Sequence, residues 1–321
     1  MTASFFEFLK QHPSLLVTTH QNPDPDGIGA EIVLSRIAAT LGNQIRIVNT
    51  DPTPKKFQFM DPENIIETWD HAHDKTPDGA GMLILDTADE YNIGKLSAFI
   101  PKAAGVFLID HHEPIVNCTF DGIIDPKASS TCEITVELAE EAGVRLTPES
   151  AMAAFAGLAY DSGFFAYSKT TIRTFRAAMT LTEAGVNPYD IYRHFYEKSS
   201  IETLLLEKAV FGTLQIREHG RVAVQFLRRK DLLETGANSG DGEHLVSAPL
   251  KCKDIEVSIL VKENKEGLVR CSLRSKGKVN VSKIAQELGG GGHLMAAGFR
   301  SSLSPEMTID KLLKRISKEI G

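Results

Sequence analysis

The chain has 321 residues, 42% of them hydrophobic and 24% charged, with a formal net charge of −7 and a pI near 5.8. That length suits about two domains with cores that need no staple, and the acidic balance excludes a broad, non-specific duplex-binding surface. A small anionic substrate stays open, because bound cations reverse the local sign.

The opening residues, MTASFFEFLKQHPS, read as a short helix and lack the basic start and long apolar centre of a signal peptide. LLVTTH (15–20) is a short apolar run rich in β-branched residues, so a strand is expected. GIGAEIVLSRIAATLG (27–42) spaces Ile28, Ile32, Ile37 and Leu41 near a helical period, with Gly42 as its stop. IRIVNT (45–50) is strand-like, and MLILDT (82–87) and GVFLIDHH (105–112) are continuous apolar runs. Such runs fit parallel strands covered on both faces. TCEITVELAEEAG (131–143) and PESAMAAFAGLAY (148–160) read as helices, the second with Pro in its first turn. This alternation predicts a parallel α/β sheet.

Residues 171–218 are expected to be wholly helical. RVAVQFL, EVSILVKE and GLVRCSLRS then follow as strands at hairpin-like spacing, with helices expected in VNVSKIAQELGGGGH and SPEMTIDKLLKRISKEI. The expected division is a catalytic domain over 1–190, a helical linker over 191–215 and a smaller α+β domain over 216–321. TGANSGDGEH (235–244) reads as loop, and RRK (228–230) as a surface charge run. Cys118, Cys132, Cys252 and Cys271 show no CxxC spacing and read as reduced cytosolic thiols. The Asn117–Thr119 and Asn280–Ser282 glycosylation patterns carry no weight in a chain expected to be cytoplasmic. No apolar stretch approaches the ~20 residues of a bilayer span, so no membrane partner is expected.

Three expected strands end in the same chemistry: His20, Asp24 and Asp26 beyond the first, Asp86 beyond another, and Asp110, His111 and His112 on a third. Ligands of open α/β sheets bind beyond the carboxyl ends of the strands. Carboxylates gathered there unpaired repel and are costly to desolvate, and one or two divalent cations remove that cost. Pro23 and Pro25 are expected to restrict a loop so that Asp24 and Asp26 address different metals. A mixed oxygen and nitrogen donor set suits Mn²⁺, Fe²⁺ or Mg²⁺, with Zn²⁺ and Co²⁺ also admitted. In LRSKGKVNVSKIAQELGGGGHLMAAGF (273–299), Arg274 can fork onto a phosphate, and the glycines let backbone N–H groups approach an anion. There is no GxxxxGK[ST], HExxH or GxSxG.

HQNPDPDG (20–27), LILD (83–86), IDHH (109–112), YDSG (160–163) and GGGGH (289–293) together resemble the DHH/DHHA1 phosphoesterases. Across the whole chain the likeness is to their short two-domain branch of nanoRNases (oligoribonucleases) and 3′-phosphoadenosine 5′-phosphate phosphatases. The resemblance implies a parallel-sheet DHH domain, a helical connector, a smaller α+β DHHA1 domain and an active site in the interdomain cleft. It implies two Mn²⁺ ions: one on His20 and Asp24, one on Asp26, His111 and Asp161, with Asp86 bridging both. His112 becomes a proton donor or phosphate contact, and Asp110 a residue that orients His111. Arg274, Ser275, Gly290, Gly291, Gly292 and His293 become substrate-binding. Ala30, Ser162 and Leu294 stand where the family often has Ser, Thr and Pro.

The implied reaction is hydrolysis of short RNA oligonucleotides to mononucleotides, and of 3′-phosphoadenosine 5′-phosphate (pAp) to AMP and phosphate, by water activated between two metals. Long duplex nucleic acid is not an expected partner, and a homodimer is expected. The alternatives are a cyclic or linear dinucleotide phosphodiesterase (cyclic di-AMP, pApA) and a non-catalytic nucleotide-binding regulator.

Overall fold

A computed structural model describes residues 2–70, 79–113, 120–238, 240–263 and 268–320. Cys118, the 117–119 glycosylation pattern and Ser239 of the expected 235–244 loop lie outside the described residues. Contacts divide the chain into two units, Met1–Lys198 and Ser199–Gly321. The stretch 191–215 is thereby shared between them. No helix among the described residues is long and apolar enough to cross a membrane.

The first unit runs α1 (Thr2–Gln11), β1 (Ser14–Thr19), α2 (Pro25–Thr40), β2 (Gln44–Asn49), β3 (Ile66–Thr68), β4 (Gly81–Leu85), β5 (Gly105–Asp110), β6 (Asp121–Ile124), α3 (Thr131–Glu141), α4 (Pro148–Asp161), α5 (Ile172–Glu183) and α6 (Pro188–Tyr196). The strands pair in the order β3-β2-β1-β4-β5-β6, all parallel. Alternate side chains of each strand enter different cores: Leu15, Val17, Leu83 and Leu85 join helices α1 to α4 on one face, while Leu16, Met82 and Ile84 meet Ile93 and Leu96 on the other. Full burial on both faces explains the unbroken apolar runs. Chain order reverses between β1 and β4, the switch point at which a crevice opens beyond the strand ends.

Pro25 opens α2 at its first helical position, and Asp24 is the N-cap, its Oδ1 accepting from the Asp26 and Gly27 amides at 2.9 and 3.2 Å. The prolines were expected to stiffen a loop. Instead Pro25 starts a helix, whose fixed φ suits that position, and Asp26 lies inside the first turn.

The second unit runs α7 (Ile201–Phe211), β7 (Gln215–Arg217), β8 (Val222–Leu227), α8 (Arg229–Thr235), β9 (Val257–Glu263), β10 (Val269–Ser275), α9 (Val281–Gln286), β11 (Gly291–His293), β12 (Ala296–Ser301) and α10 (Pro305–Ile320). Its sheet has the order β11-β12-β10-β9-β8-β7. Two expectations are corrected here. The helical run of 171–218 ends at Phe211, capped by Gly212, and Gln215–Arg217 pairs antiparallel with β8. Strands β8 and β9 are parallel rather than a hairpin, with a long connection carrying α8 between them; β9 and β10 do form an antiparallel pair.

Candidate metal centre

Beyond the C-terminal ends of β1, β4 and β5, the first unit gathers the side chains that the sequence singled out. His20 Nε2 lies 3.8 Å from Asp24 Oδ1 and 3.5 Å from Asp86 Oδ2. His111 Nε2 lies 3.0 Å from Asp161 Oδ2, 3.6 Å from Asp86 Oδ1 and 3.7 Å from Asp26 Oδ2. Two donor groups result, His20–Asp24–Asp86 and Asp26–His111–Asp161. Asp86 turns one carboxylate oxygen toward each histidine.

Asp86 follows β4 with φ +59, a conformation side-chain-bearing residues rarely adopt and one in which Asp and Asn are enriched. Its amide donates to Ile109 O at 2.9 Å, which ties the turn to β5. Strain of this kind persists where the surroundings over-determine it. His20 Nδ1 lies 2.8 Å from Gln21 O, so that nitrogen donates and Nε2 faces the carboxylates. Asp161 is the last residue of α4, at the negative end of the helix dipole, a place that suits cations and not a carboxylate.

Sequence reading missed what holds Asp26. The first amides of α3, on Thr131 and Cys132, donate to its Oδ2 and Oδ1 at 2.6 and 2.8 Å. The Thr131 hydroxyl donates to Asp86 Oδ1 at 3.0 Å. One signal for this helix start was present: Ser130 and Glu133 have capping-box spacing, and the Ser130 hydroxyl accepts from the Glu133 amide. Thr131→Val keeps the shape and the backbone donor but removes the hydroxyl. It is expected to weaken divalent-metal affinity roughly ten- to a hundredfold, the usual effect of losing an outer partner of a ligand; calorimetric titration checks this.

Asp110 was expected to orient His111. It accepts instead from His112, at 2.7 Å from the ring Nδ1 and 3.1 Å from the amide. Successive residues leaving a strand point to opposite sides, so the immediate neighbour could not reach back. Burial works against the charge on Asp110, yet the His112 ring and amide hold its carboxyl below the usual range.

The donors fit divalent cations on grounds of satisfaction and charge. His111 Nδ1 is buried without a hydrogen bond among the described residues, while Nε2 faces three carboxylates. Burial, then Asp161, pushes Asp26 up to about 6, and burial followed by Asp26 pushes Asp86 well above the carboxylate range. Burial alone would depress His111, but Asp161, Asp26 and Asp86 lift it to about 9. The cluster therefore retains protons that a bound cation displaces. His20, Asp24, Asp26, Asp86, His111 and Asp161 are the residues that could hold such ions.

The remaining candidates lie in the second unit. Cross-strand register puts His293, Ala296 and Arg274 in one row across β11, β12 and β10. Two strand spacings separate His293 from Arg274, about 10 Å, with only a methyl between them. The Ser275 hydroxyl closes a turn by donating to Val279 O at 2.8 Å. Gly290 and Gly292 have structural reasons to be glycine: a Cβ would sit 2.1 Å from Gly298 O at the first and 2.4 Å from Ala296 O at the second, where φ is +141. Gly291 faces open space.

Residues 14–159 match the DHH family, N-terminal domain, and residues 219–321 match the DHHA1 domain. The bifunctional oligoribonuclease and PAP phosphatase NrnA of Thermus thermophilus is 27% identical over 313 residues, 95% of this chain and 90% of that protein. The probable protein of the same name from Streptococcus mutans is 28% identical over 314 residues, 97% of each chain. An exopolyphosphatase-related protein from Bacteroides fragilis has the same fold, with a TM-score of 0.86 at 24% identity over 99% of this chain and 95% of that one.

Proposed function

The chain belongs to the DHH/DHHA1 phosphoesterases, and from that premise we propose that it is a metal-dependent hydrolase of short RNA oligonucleotides and of 3′-phosphoadenosine 5′-phosphate. The observation that carries the reading is Asp86, one oxygen 3.5 Å from His20 and the other 3.6 Å from His111. A carboxylate shared in this way suits two divalent ions, with Mn²⁺ the first choice. His20 and Asp24 would hold one, Asp26, His111 and Asp161 the other, and Asp86 both. Such ions supply positive charge to phosphoryl oxygens and make water acidic enough to attack at neutral pH.

The protein's own residues do the rest. Water oxygen bonds to phosphorus as the ester P–O bond breaks, and the leaving oxygen takes a proton. His112 is the group we assign to give it: its Nδ1 is held by Asp110 at 2.7 Å and the ring is exposed, which leaves Nε2 to face substrate. Arg274 and His293 hold a phosphate across Ala296, with Gly290–Gly292 beside them. A homodimer, a cytoplasmic setting and indifference to long duplexes belong to the same reading.

The test is a substrate panel of pAp, pApA, a five-nucleotide RNA and cyclic di-AMP in Mn²⁺, with and without EDTA. Hydrolysis of pAp and the RNA, abolished by EDTA, is expected. Preference for cyclic di-AMP would replace the substrate assignment, and binding without turnover would make the protein a regulator. Arg274→Ala is expected to raise KM for pAp roughly ten- to a hundredfold, the range for a charge-assisted contact, with a smaller change in kcat.

A further inference from the structure

Next to Asp161 stands a group of tyrosines that neither the metal centre nor the core accounts for. Tyr160, Tyr167 and Tyr196 are 39%, 63% and 57% exposed. All three belong to the first unit. Tyr160, next to Asp161 in the last turn of α4, packs its ring against Phe57 and Phe195 at 5.9 and 5.7 Å between centroids. Tyr196 packs against Phe164 at 5.0 Å. The Tyr160 and Tyr196 rings are thus packed against phenylalanines while both residues keep substantial exposure.

The local backbone is bent to present these rings. Gly163, Phe164 and Phe165 have φ of +59, +52 and +67, three consecutive left-handed residues, two of them bulky. Such a run is sterically disfavoured and clusters at functional sites. Tyr167 lies flat on the first of them: a Cβ on Gly163 would fall 2.5 Å from the Tyr167 ring. Tyr160 immediately precedes Asp161 in the last turn of α4, so the aromatic patch begins one residue from the acidic centre.

We propose that Tyr160, Tyr167 and Tyr196 form a stacking platform for the nucleobase attached to the phosphate being hydrolysed. This deepens the substrate reading given above and rests on it. Stacking on an aromatic face tolerates any base, because every base has a π-face. The platform would favour nucleotides over phosphate esters without a base, and would do so without sequence preference.

The experiment compares pApA with the same dinucleotide lacking both bases. Tyr167→Ala and Tyr196→Ala are expected to raise KM for pApA about tenfold or more, to leave kcat within about twofold, and to leave KM for the abasic compound unchanged. Tyr167→Phe and Tyr196→Phe keep the rings and are expected to retain the low KM. A separate arm measures fluorescence quenching of a 2-aminopurine dinucleotide with a non-hydrolysable linkage. Quenching by the parent protein that is lost in Tyr196→Ala supports the platform even if no dinucleotide is turned over, so the platform and the substrate reading can fail separately. An equal KM change for both substrates, no change for either, absence of quenching, or loss of a dimer with KM unchanged would each overturn it.

Discussion

Asp86→Asn is expected to lower turnover of pAp on the order of a thousandfold or more, while raising the melting temperature of the metal-free protein. Removing one preorganised charge-stabilising group from an active site costs about a hundred- to a thousandfold. Asp86 faces both donor groups, so its loss strikes both at once. Asn is the informative substitute because it keeps the volume and tolerates φ +59, whereas Ala adds a backbone penalty of about 1 kcal/mol or more. The Thr131 hydroxyl can still donate to an amide oxygen.

The opposite sign for stability follows from the same geometry. In the metal-free protein Asp86 is buried and crowded by Asp26, which is why its carboxyl is pushed up. Burial and Asp26 outweigh the help from His20 and His111, so a neutral amide there relieves a charge that the fold disfavours. Activity and apo stability therefore trade against one another at one atom pair. Metal content by mass spectrometry should fall along with turnover. Turnover within tenfold of the parent protein, at saturating Mn²⁺, would remove Asp86 from the centre of the mechanism.

What the sequence made visible was whatever carried a strong period or a clustered chemistry. Strands β1, β4 and β5 are buried on both faces, so their apolar runs stand out, and the acids and imidazoles sit where those runs stop. Strands β3 and β6 are three and four residues long at the two edges of the sheet. Neither has room for a period, and neither was read as a strand. Strand β12 contains Ala-Ala-Gly and β11 begins Gly-Gly, which hid a hairpin that the register makes plain. Parallel pairing of β8 with β9 is a choice of partner, not of local conformation, and no local pattern encodes it. The same holds for Asp110: its residue type was readable, but its partner depended on which way two successive histidines leave a strand. Thr131 and Cys132 act mostly through backbone amides, so no side-chain motif announces them.

Glu31 was read only as a position in a helix, and its burial leads to the largest stability effect expected of a single residue outside the donor set. It is fully buried in α2. Its Oε2 accepts from Asn49 Nδ2 at 3.0 Å, and its Oε1 has no hydrogen bond among the described residues. Asn49 Oδ1 in turn accepts from the Thr19 amide at 3.1 Å, and the Thr19 hydroxyl donates to Leu85 O at 2.9 Å. The residues that follow Thr19 and Leu85 are His20 and Asp86, so this buried chain of bonds sets the two strand ends from which the donors project. Burial pushes the Glu31 carboxyl from 4.5 up to about 8, although the Asn49 contact pulls the other way.

A folded-state value above the unfolded one means that the folded protein holds the proton longer. The stabilising contribution is complete below the unfolded value and is lost as pH climbs from 4.5 toward 8. At about 1.4 kcal/mol per unit the loss reaches ~4 kcal/mol by pH 8, where the folded group is half ionised. Gln is the neutral analogue, and its carbonyl can keep the Asn49 contact. Melting curves of EDTA-treated parent and Glu31→Gln proteins should coincide near pH 4 and separate as pH rises. By pH 8 the variant should melt roughly 5 °C or more above the parent, at the 2–4 °C per kcal/mol usual for a unit of this size. Turnover with metal bound should change little, since the bonds that set the strand ends survive. Curves that stay parallel from pH 4 to 8 would mean that Glu31 does not titrate in this window. The alignment of His20 with Asp86 would then owe nothing to a proton held beneath them.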